Sequence, residues 1–125
     1  QLFQVIIDAD GAVLFHCAAG KDRTGIAAAL LLDLAGVSES DIITDYSLSE
    51  LLLAPMYGQF LPAMQERGLS EAHAVALMGA KEEDMAETLA YIYGRWGSAE
   101  GYMSSIGLDA DAIAKLRLRL AEPRS

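Results

Sequence analysis

The sequence contains a single cysteine, Cys17, so no disulfide can form within the chain. Long apolar runs are also missing. The longest extends from Ile26 to Leu32 and ends at Asp33, well short of the roughly 18 residues that a membrane-spanning helix needs. The sequence therefore predicts neither a disulfide scaffold nor a membrane span, and the lone thiol is either a small buried hydrophobe or a reactive group.

Basic residues are scarce, since 9 Lys and Arg stand against 18 Asp and Glu and the net charge is −9. Binding to nucleic acid depends on neutralising its phosphates with Lys and Arg, so we exclude nucleic acid as the main partner. A phosphorylated substrate stays compatible, because a small site can be locally positive on an acidic protein. Hydrophobic residues make up 53% of the 125 residues, which predicts a folded chain of one domain.

Periodicity predicts a mostly helical chain with one short strand, and therefore the α/β fold class. Val13, Leu14 and Phe15 form a wholly apolar run, as expected for a buried strand in the centre of a sheet. Before it, residues 1–7 fit either the end of a helix or a short strand, and residues 8–12 have the composition of a turn. The predicted helices cover residues 24–35, 38–47, parts of 51–67, 70–78, 81–96, 99–105 and 110–121.

Helix boundaries follow from residues that cap or break helices. Ser38, Ser98 and Asp109 each precede a helical segment and are predicted N-caps, because their side-chain oxygens can accept a free backbone N–H. Pro55 and Pro62 are predicted to interrupt the region in which they lie.

The most informative segment follows the predicted strand. The strand ends at His16, Cys17 begins a tight loop, and Gly20 lets the backbone turn closely around a ligand. Thr24 then opens a helix whose N-terminus points back into the loop. Backbone N–H groups in such a loop form an anion-binding nest, and the helix dipole favours negative charge there, so we expect a phosphate-like anion in the loop. The predicted phosphate-binding residues are Ala18, Ala19, Gly20, Lys21, Asp22 and Arg23.

This arrangement predicts nucleophilic chemistry at the cysteine. The field that binds an anion also stabilises a thiolate, so we expect Cys17 to have a lowered pKa and to attack phosphorus. Arg23 presents a planar fork for two phosphoryl oxygens, and Thr24 can donate a hydrogen bond to the sulfur as it leaves. His16 is expected to hold the loop in place. Lys21 either adds charge for a substrate with more than one phosphate or tunes Cys17.

Each of these residues has an ordinary structural interpretation when taken alone. A single cysteine beside an apolar strand is usually a small buried hydrophobe. A lone His16 is usually structural, and Lys21, Asp22 and Arg23 would make a solvated turn. Their order, between a strand and a helix, is what favours a catalytic phosphate loop.

The segment from His16 to Gly25 resembles the HCxxGxxRTG phosphate loop of the protein tyrosine phosphatase superfamily. Its Gly-Lys-Asp-Arg-Thr-Gly form is similar to a bacterial branch of tyrosine and dual-specificity phosphatases, some of which also hydrolyse phosphoinositides. The similarity extends over nearly the whole chain. Further matching segments are Asp45-Tyr46, Tyr93-Gly94, Gly101-Tyr102, Ile106-Gly107-Leu108 and Leu116-Arg117.

The resemblance implies a phosphatase-type fold and a cysteine-dependent phosphatase that forms a cysteinyl-phosphate. It implies a phosphorylated protein or a phosphoinositide as substrate: phosphotyrosine first, with phosphoserine, phosphothreonine or phosphoinositide as further candidates. It implies no cofactor and no metal. The reactive thiol requires a reducing environment, so we expect a cytoplasmic protein, with a secreted effector as the alternative.

The sequence departs from this family at its front. In the family a sheet of four or more strands precedes the phosphate loop, and an aspartate on an earlier loop is the general acid. This sequence begins at Gln1, which is not Met, shortly before the loop. We therefore expect residues 1–125 to be the C-terminal part of a single phosphatase catalytic domain, with the remaining sheet missing from this chain. Asp22 is a substitute candidate for the acid, and a structural pairing of Asp22 with Lys21 or Arg23 is equally compatible.

Two other functions use the same residue types. One is a non-catalytic, phosphatase-like module that binds phosphate. The presence of both Cys17 and Arg23 argues against it, whereas the absence of the usual acid loop argues weakly for it. The other is arsenate reduction or sulfur transfer. Arsenate reductases of related loop design usually need further cysteines, and rhodanese-like loops normally lack the Arg-Thr-Gly exit into a helix.

Overall fold

The fold is described from a computed structural model, which describes residues 1–121. These residues form eight α-helices and one short 3-10 helix, Ala54–Met56, between the third and fourth α-helices. The α-helices are α1 Leu2–Asp8, α2 Asp22–Leu34, α3 Glu39–Leu53, α4 Tyr57–Glu66, α5 Glu71–Met78, α6 Glu82–Trp96, α7 Ala99–Ser105 and α8 Ala110–Leu120.

The predicted central strand is not formed in this structure. Residues 13–15 lie in a segment without regular secondary structure, and residues 1–121 contain no strand. A strand exists only where a neighbouring strand hydrogen-bonds to it, and the described residues supply none. Val13 and Phe15 pack against the core, whereas Leu14 points the other way and is 92% exposed. The side chains of the apolar run therefore alternate between the core and solvent, but the run forms no sheet. The mostly helical character of the chain is confirmed.

Helix α2 lies at the centre of the fold because it is apolar nearly all round. Leu30, Leu31 and Leu34 belong to a core cluster shared with α1, α6, α7 and α8. Ala29, on another face, belongs to a second cluster with residues of α3 and α6. Full burial of a leucine side chain contributes roughly 1.5–3 kcal/mol, so α2 is fixed firmly between the two clusters.

The predicted N-caps are confirmed. Ser38 Oγ accepts the N–H of Asp41 at 3.2 Å, and Asp109 Oδ1 accepts the N–H of Ala112 at 2.8 Å. Ser98 caps α7 in the same way. Each such cap is typically worth about 1 kcal/mol, so these ends follow from local sequence.

Two helix predictions differ from the structure. Helix α3 continues to Leu53, beyond the predicted end near residue 47. Pro62 lies inside α4 and does not end it, whereas Pro55 lies in the first turn of the 3-10 helix, where a missing N–H costs nothing. Residues 1–7, for which helix and strand were both compatible, are largely helix α1.

Candidate active site

The loop between the extended segment and α2 brings the predicted nucleophile to a helix N-terminus. Residues 18–21 form consecutive bends, and Gly20 has φ +68°, a left-handed conformation that favours glycine. Helix α2 begins at Asp22. Its first hydrogen bond runs from the Gly25 N–H to the Lys21 carbonyl oxygen, at 2.7 Å. The loop thus curves around Cys17, and the N–H groups of Gly20, Lys21 and Thr24 are directed toward its sulfur.

Cys17 is only partly exposed, and its thiol is strongly activated. A hydrogen bond from the Thr24 hydroxyl, then the Thr24 N–H, and then the N–H groups of Lys21 and Gly20 lower its pKa from 9.0 to about 6, against an opposing effect of burial. At pH 7 the sulfur is therefore mostly a thiolate, which is the nucleophilic form.

The interaction between the Thr24 hydroxyl and the Cys17 sulfur does not meet standard hydrogen-bond geometry. The Thr24 hydroxyl oxygen is buried, and within residues 1–121 it makes no hydrogen bond of standard geometry. Its interaction with the sulfur is nevertheless the largest cause of the lowered pKa. Hydrogen bonds in active sites are often long or poorly aligned before a ligand binds, so we expect this one to reach good geometry when the thiolate forms.

Arg23 lies at the loop with its side chain exposed. The ion pairs among residues 1–121 join Lys21 to Asp22 and Arg117 to Glu100, and neither involves Arg23. Its guanidinium is therefore available to an anion in the loop, for which a planar fork suits two phosphoryl oxygens.

Lys21 is placed differently from the other loop residues. The residue is only 5% exposed, and the ammonium donates to the carbonyl oxygens of Leu77 at 3.0 Å and Gly79 at 2.6 Å. It also lies 2.9 Å from Asp22 Oδ1. Lys21 therefore contributes its N–H to the sulfur, while its charge is directed toward the C-terminal end of α5.

Asp22, largely exposed, is held by two neighbours. Its Oδ1 pairs with the Lys21 ammonium and accepts a hydrogen bond from the Tyr46 hydroxyl at 3.3 Å. Burial, and then the charge of Asp22, raise the pKa of Tyr46 to about 12, so the phenol stays a donor throughout the physiological range. These contacts correspond to the structural pairing with Lys21 that the sequence leaves open.

Tyr46 is the residue whose role the sequence did not reveal. It packs against Gly25, where an added Cβ would lie 2.9 Å from the Tyr46 ring. A glycine inside a predicted helix indicates that another group approaches the backbone closely, and Gly25 is such a glycine. The pair brings the start of α2 tightly against α3.

The remaining predicted residues lie in the loop. His16 is exposed, and its Nδ1 lies 3.1 Å from the Cys17 carbonyl oxygen, to which the Nδ1-protonated tautomer donates. Ala18 and Ala19 are exposed within the bends. No group of three metal-ligating side chains occurs in the described part of the chain. Nor do residues 1–121 include a helix with the length and apolar character required to cross a bilayer.

Comparisons with known proteins agree with this geometry. Residues 1–122 match the family model described as "Tyrosine phosphatase family". The chain is similar to a tyrosine-protein phosphatase of Nostoc commune, with 39% identity over 98% of this chain and 44% of the relative. It is also similar to the triple specificity protein phosphatase PtpB of Mycobacterium tuberculosis, with 28% identity over 84% of this chain and 42% of the relative. The chain spans less than half the length of these curated relatives. Over that span, the chain belongs to the tyrosine phosphatase family.

Proposed function

We propose that this protein hydrolyses phosphate monoesters through a cysteinyl-phosphate intermediate, with Cys17 as the nucleophile. The observation that carries the proposal is the loop at the start of α2, where the N–H groups of Gly20, Lys21 and Thr24 approach the Cys17 sulfur and lower its pKa to about 6. Family membership supports the same chemistry.

The reaction proceeds in two displacements at phosphorus. The Cys17 thiolate attacks phosphorus, an S–P bond forms, and the ester P–O bond breaks as the alcohol leaves with a proton. Water then attacks phosphorus, the S–P bond breaks, and inorganic phosphate and the thiolate are released. The Thr24 hydroxyl stabilises the sulfur as it leaves in the second step.

The anion is held by main chain and by one cation. The N–H groups of residues 18–23 surround the phosphoryl oxygens, and Arg23 binds two of them as charge builds in the transition state. The contacts of Asp22 with Lys21 and Tyr46 support a positioning role for this carboxylate. We therefore propose that the general acid is an aspartate of the full-length protein that lies outside residues 1–125.

We propose phosphotyrosine in proteins as the main substrate. The names of both relatives include protein phosphatase activity, and one is named for triple specificity. Phosphoserine, phosphothreonine and phosphoinositides are therefore the competing substrates to compare.

We further propose that residues 1–125 are the C-terminal part of a single catalytic domain. Two observations support this: the extended segment around Leu14 has no partner strand among residues 1–121, and the relatives are more than twice as long as the part matched. The experiments that follow accordingly use the natural full-length protein that contains these residues.

The decisive experiment measures hydrolysis of p-nitrophenyl phosphate and of a phosphotyrosine peptide. We expect Cys17→Ser to abolish turnover while vanadate still binds, because the loop N–H groups remain. Arg23→Lys should lose most activity, since an ammonium cannot make the paired contact, whereas Arg67→Lys at the end of α4 serves as a matched control.

Two results would contradict the proposal. A Cys17→Ser rate above about a tenth of wild type would exclude Cys17 as the nucleophile. Vanadate binding without any turnover of p-nitrophenyl phosphate, whose leaving group needs little acid assistance, would indicate a non-catalytic phosphate-binding module.

A further inference from the structure

Lys21 is the buried charged residue among residues 1–121, and its burial requires explanation. An ammonium taken out of water is costly unless every donor finds an acceptor. Here all three N–H donors have one: the carbonyl oxygens of Leu77 and Gly79 and the carboxylate of Asp22. The side chain is therefore committed to the protein and is not free to meet a ligand.

The acceptors lie at the C-terminal end of α5, 56 and 58 residues along the chain. Carbonyl groups at a helix C-terminus carry partial negative charge and lack intrahelical partners. Between the two that Lys21 binds, the Met78 carbonyl accepts the Tyr57 hydroxyl at 2.8 Å. Lys21 thus joins the phosphate loop to this helix end, whereas Tyr57 joins α4 to it.

The main chain of Lys21 belongs to the catalytic loop. Its N–H is among the groups that stabilise the Cys17 thiolate, and its carbonyl accepts the Gly25 N–H in the first turn of α2. The residue therefore links two structures: its backbone shapes the nest around the sulfur, and its side chain is fixed to α5.

We propose that Lys21 is a positioning residue: its ammonium, held by the Leu77 and Gly79 carbonyls, fixes the loop N–H groups around the Cys17 sulfur without contacting the substrate. The expected effect of Lys21 on kcat rests on the proposed function. The expected effect of Lys21 on the pKa of the Cys17 thiol does not, because it holds whether or not the protein is a phosphatase.

The test compares wild type with Lys21→Met, which keeps the length of the side chain and removes its charge and donors. Cys17 alkylation by iodoacetamide is followed from pH 5 to 9 by peptide mass spectrometry, and kcat and KM are measured with p-nitrophenyl phosphate. We expect the thiol pKa to rise by about one unit in Lys21→Met, a roughly tenfold loss of thiolate well below both pKa values. We expect kcat to fall while KM changes by less than about twofold, because the ammonium does not touch the substrate.

Two controls isolate the link. Tyr57→Phe removes a hydrogen bond from the same helix end without touching the loop, and it should leave the thiol pKa at its wild-type value. Lys115→Met removes an exposed lysine of α8 and should behave as wild type.

Several results would overturn the proposal. An unchanged thiol pKa in a folded Lys21→Met protein with a lower Tm would make Lys21 purely structural. A large rise in KM with unchanged kcat would indicate that the ammonium contacts the substrate.

If Lys21→Met does not fold, Lys21→Arg is the deciding variant. Its longer planar head group cannot keep the three contacts without moving the loop, so an unchanged thiol pKa would again refute the proposal. If wild type shows no turnover, the proposed function fails, and the alkylation profiles still decide the role of Lys21.

Discussion

The strongest single contribution to the reactivity of Cys17 comes from Thr24, so Thr24→Ala is the most informative change. It removes the hydroxyl, the largest cause of the lowered thiol pKa, and leaves the N–H groups of Thr24, Lys21 and Gly20 in place. We therefore expect the pKa to rise from about 6 while remaining below 9.0.

The size of the effect depends on pH in a definite direction. If the pKa rises by about one unit, the thiolate fraction at pH 6 falls from roughly a half to roughly a tenth, a fivefold loss. Above about pH 8 both proteins are mostly thiolate, and the loss disappears. A thiolate of higher pKa is intrinsically the stronger nucleophile, so the variant should react slightly faster at high pH and the two profiles should cross.

The assay follows alkylation of Cys17 by iodoacetamide across this pH range, with Thr24→Ser as the matched control that keeps a hydroxyl. Thr24→Ser should retain most of the wild-type profile. Superimposable profiles for wild type and Thr24→Ala would refute the reasoning, and so would a uniform slowing at every pH, which would indicate lost access and not a changed pKa.

Three further predictions test other parts of the molecule. Asp22→Asn should slow hydrolysis of aryl and alkyl phosphates by the same factor, because Asp22 positions the loop; a much larger loss with alkyl phosphates would make Asp22 the general acid. Gly101→Ala should destabilise the fold by more than about 1 kcal/mol and so lower the midpoint of thermal unfolding, since its Cβ would overlap the Trp96 carbonyl oxygen; an unchanged midpoint would contradict that packing. In the full-length protein, Leu14→Asp should destabilise by roughly 1.5 kcal/mol or more if the extended segment joins a sheet there, and no change in unfolding would contradict the proposed larger domain.

The local geometry of the loop could be predicted because it depends on neighbouring residues. The loop needs a left-handed glycine, converging N–H groups and the start of a helix, and residues close together in sequence supply all three. The residues concerned lie between positions 17 and 24: Cys17, Gly20, Arg23 and Thr24. The N-caps were predictable for the same reason, since a serine or aspartate acts on an N–H three residues ahead.

The rest depends on contacts between distant residues. Nothing near Lys21 in sequence indicates that its ammonium binds carbonyl groups more than 50 residues away, and a lysine in a phosphate loop is equally compatible with contact to substrate. The strand prediction is not shown by residues 1–121 for a related reason. An apolar run favours a strand at residues 13–15, but a strand also needs a partner, which the run itself does not encode.

The direction of Lys21 also bears on how a chain of net charge −9 would provide the proposed phosphate site. The loop does not depend on a surplus of basic side chains, because its lysine is committed to α5 and Asp22. What remains for the anion is a set of N–H dipoles, the helix N-terminus and Arg23, all of which act at close range. Surface carboxylates farther away are screened over about 8 Å at physiological ionic strength, so they weaken this local field only slightly.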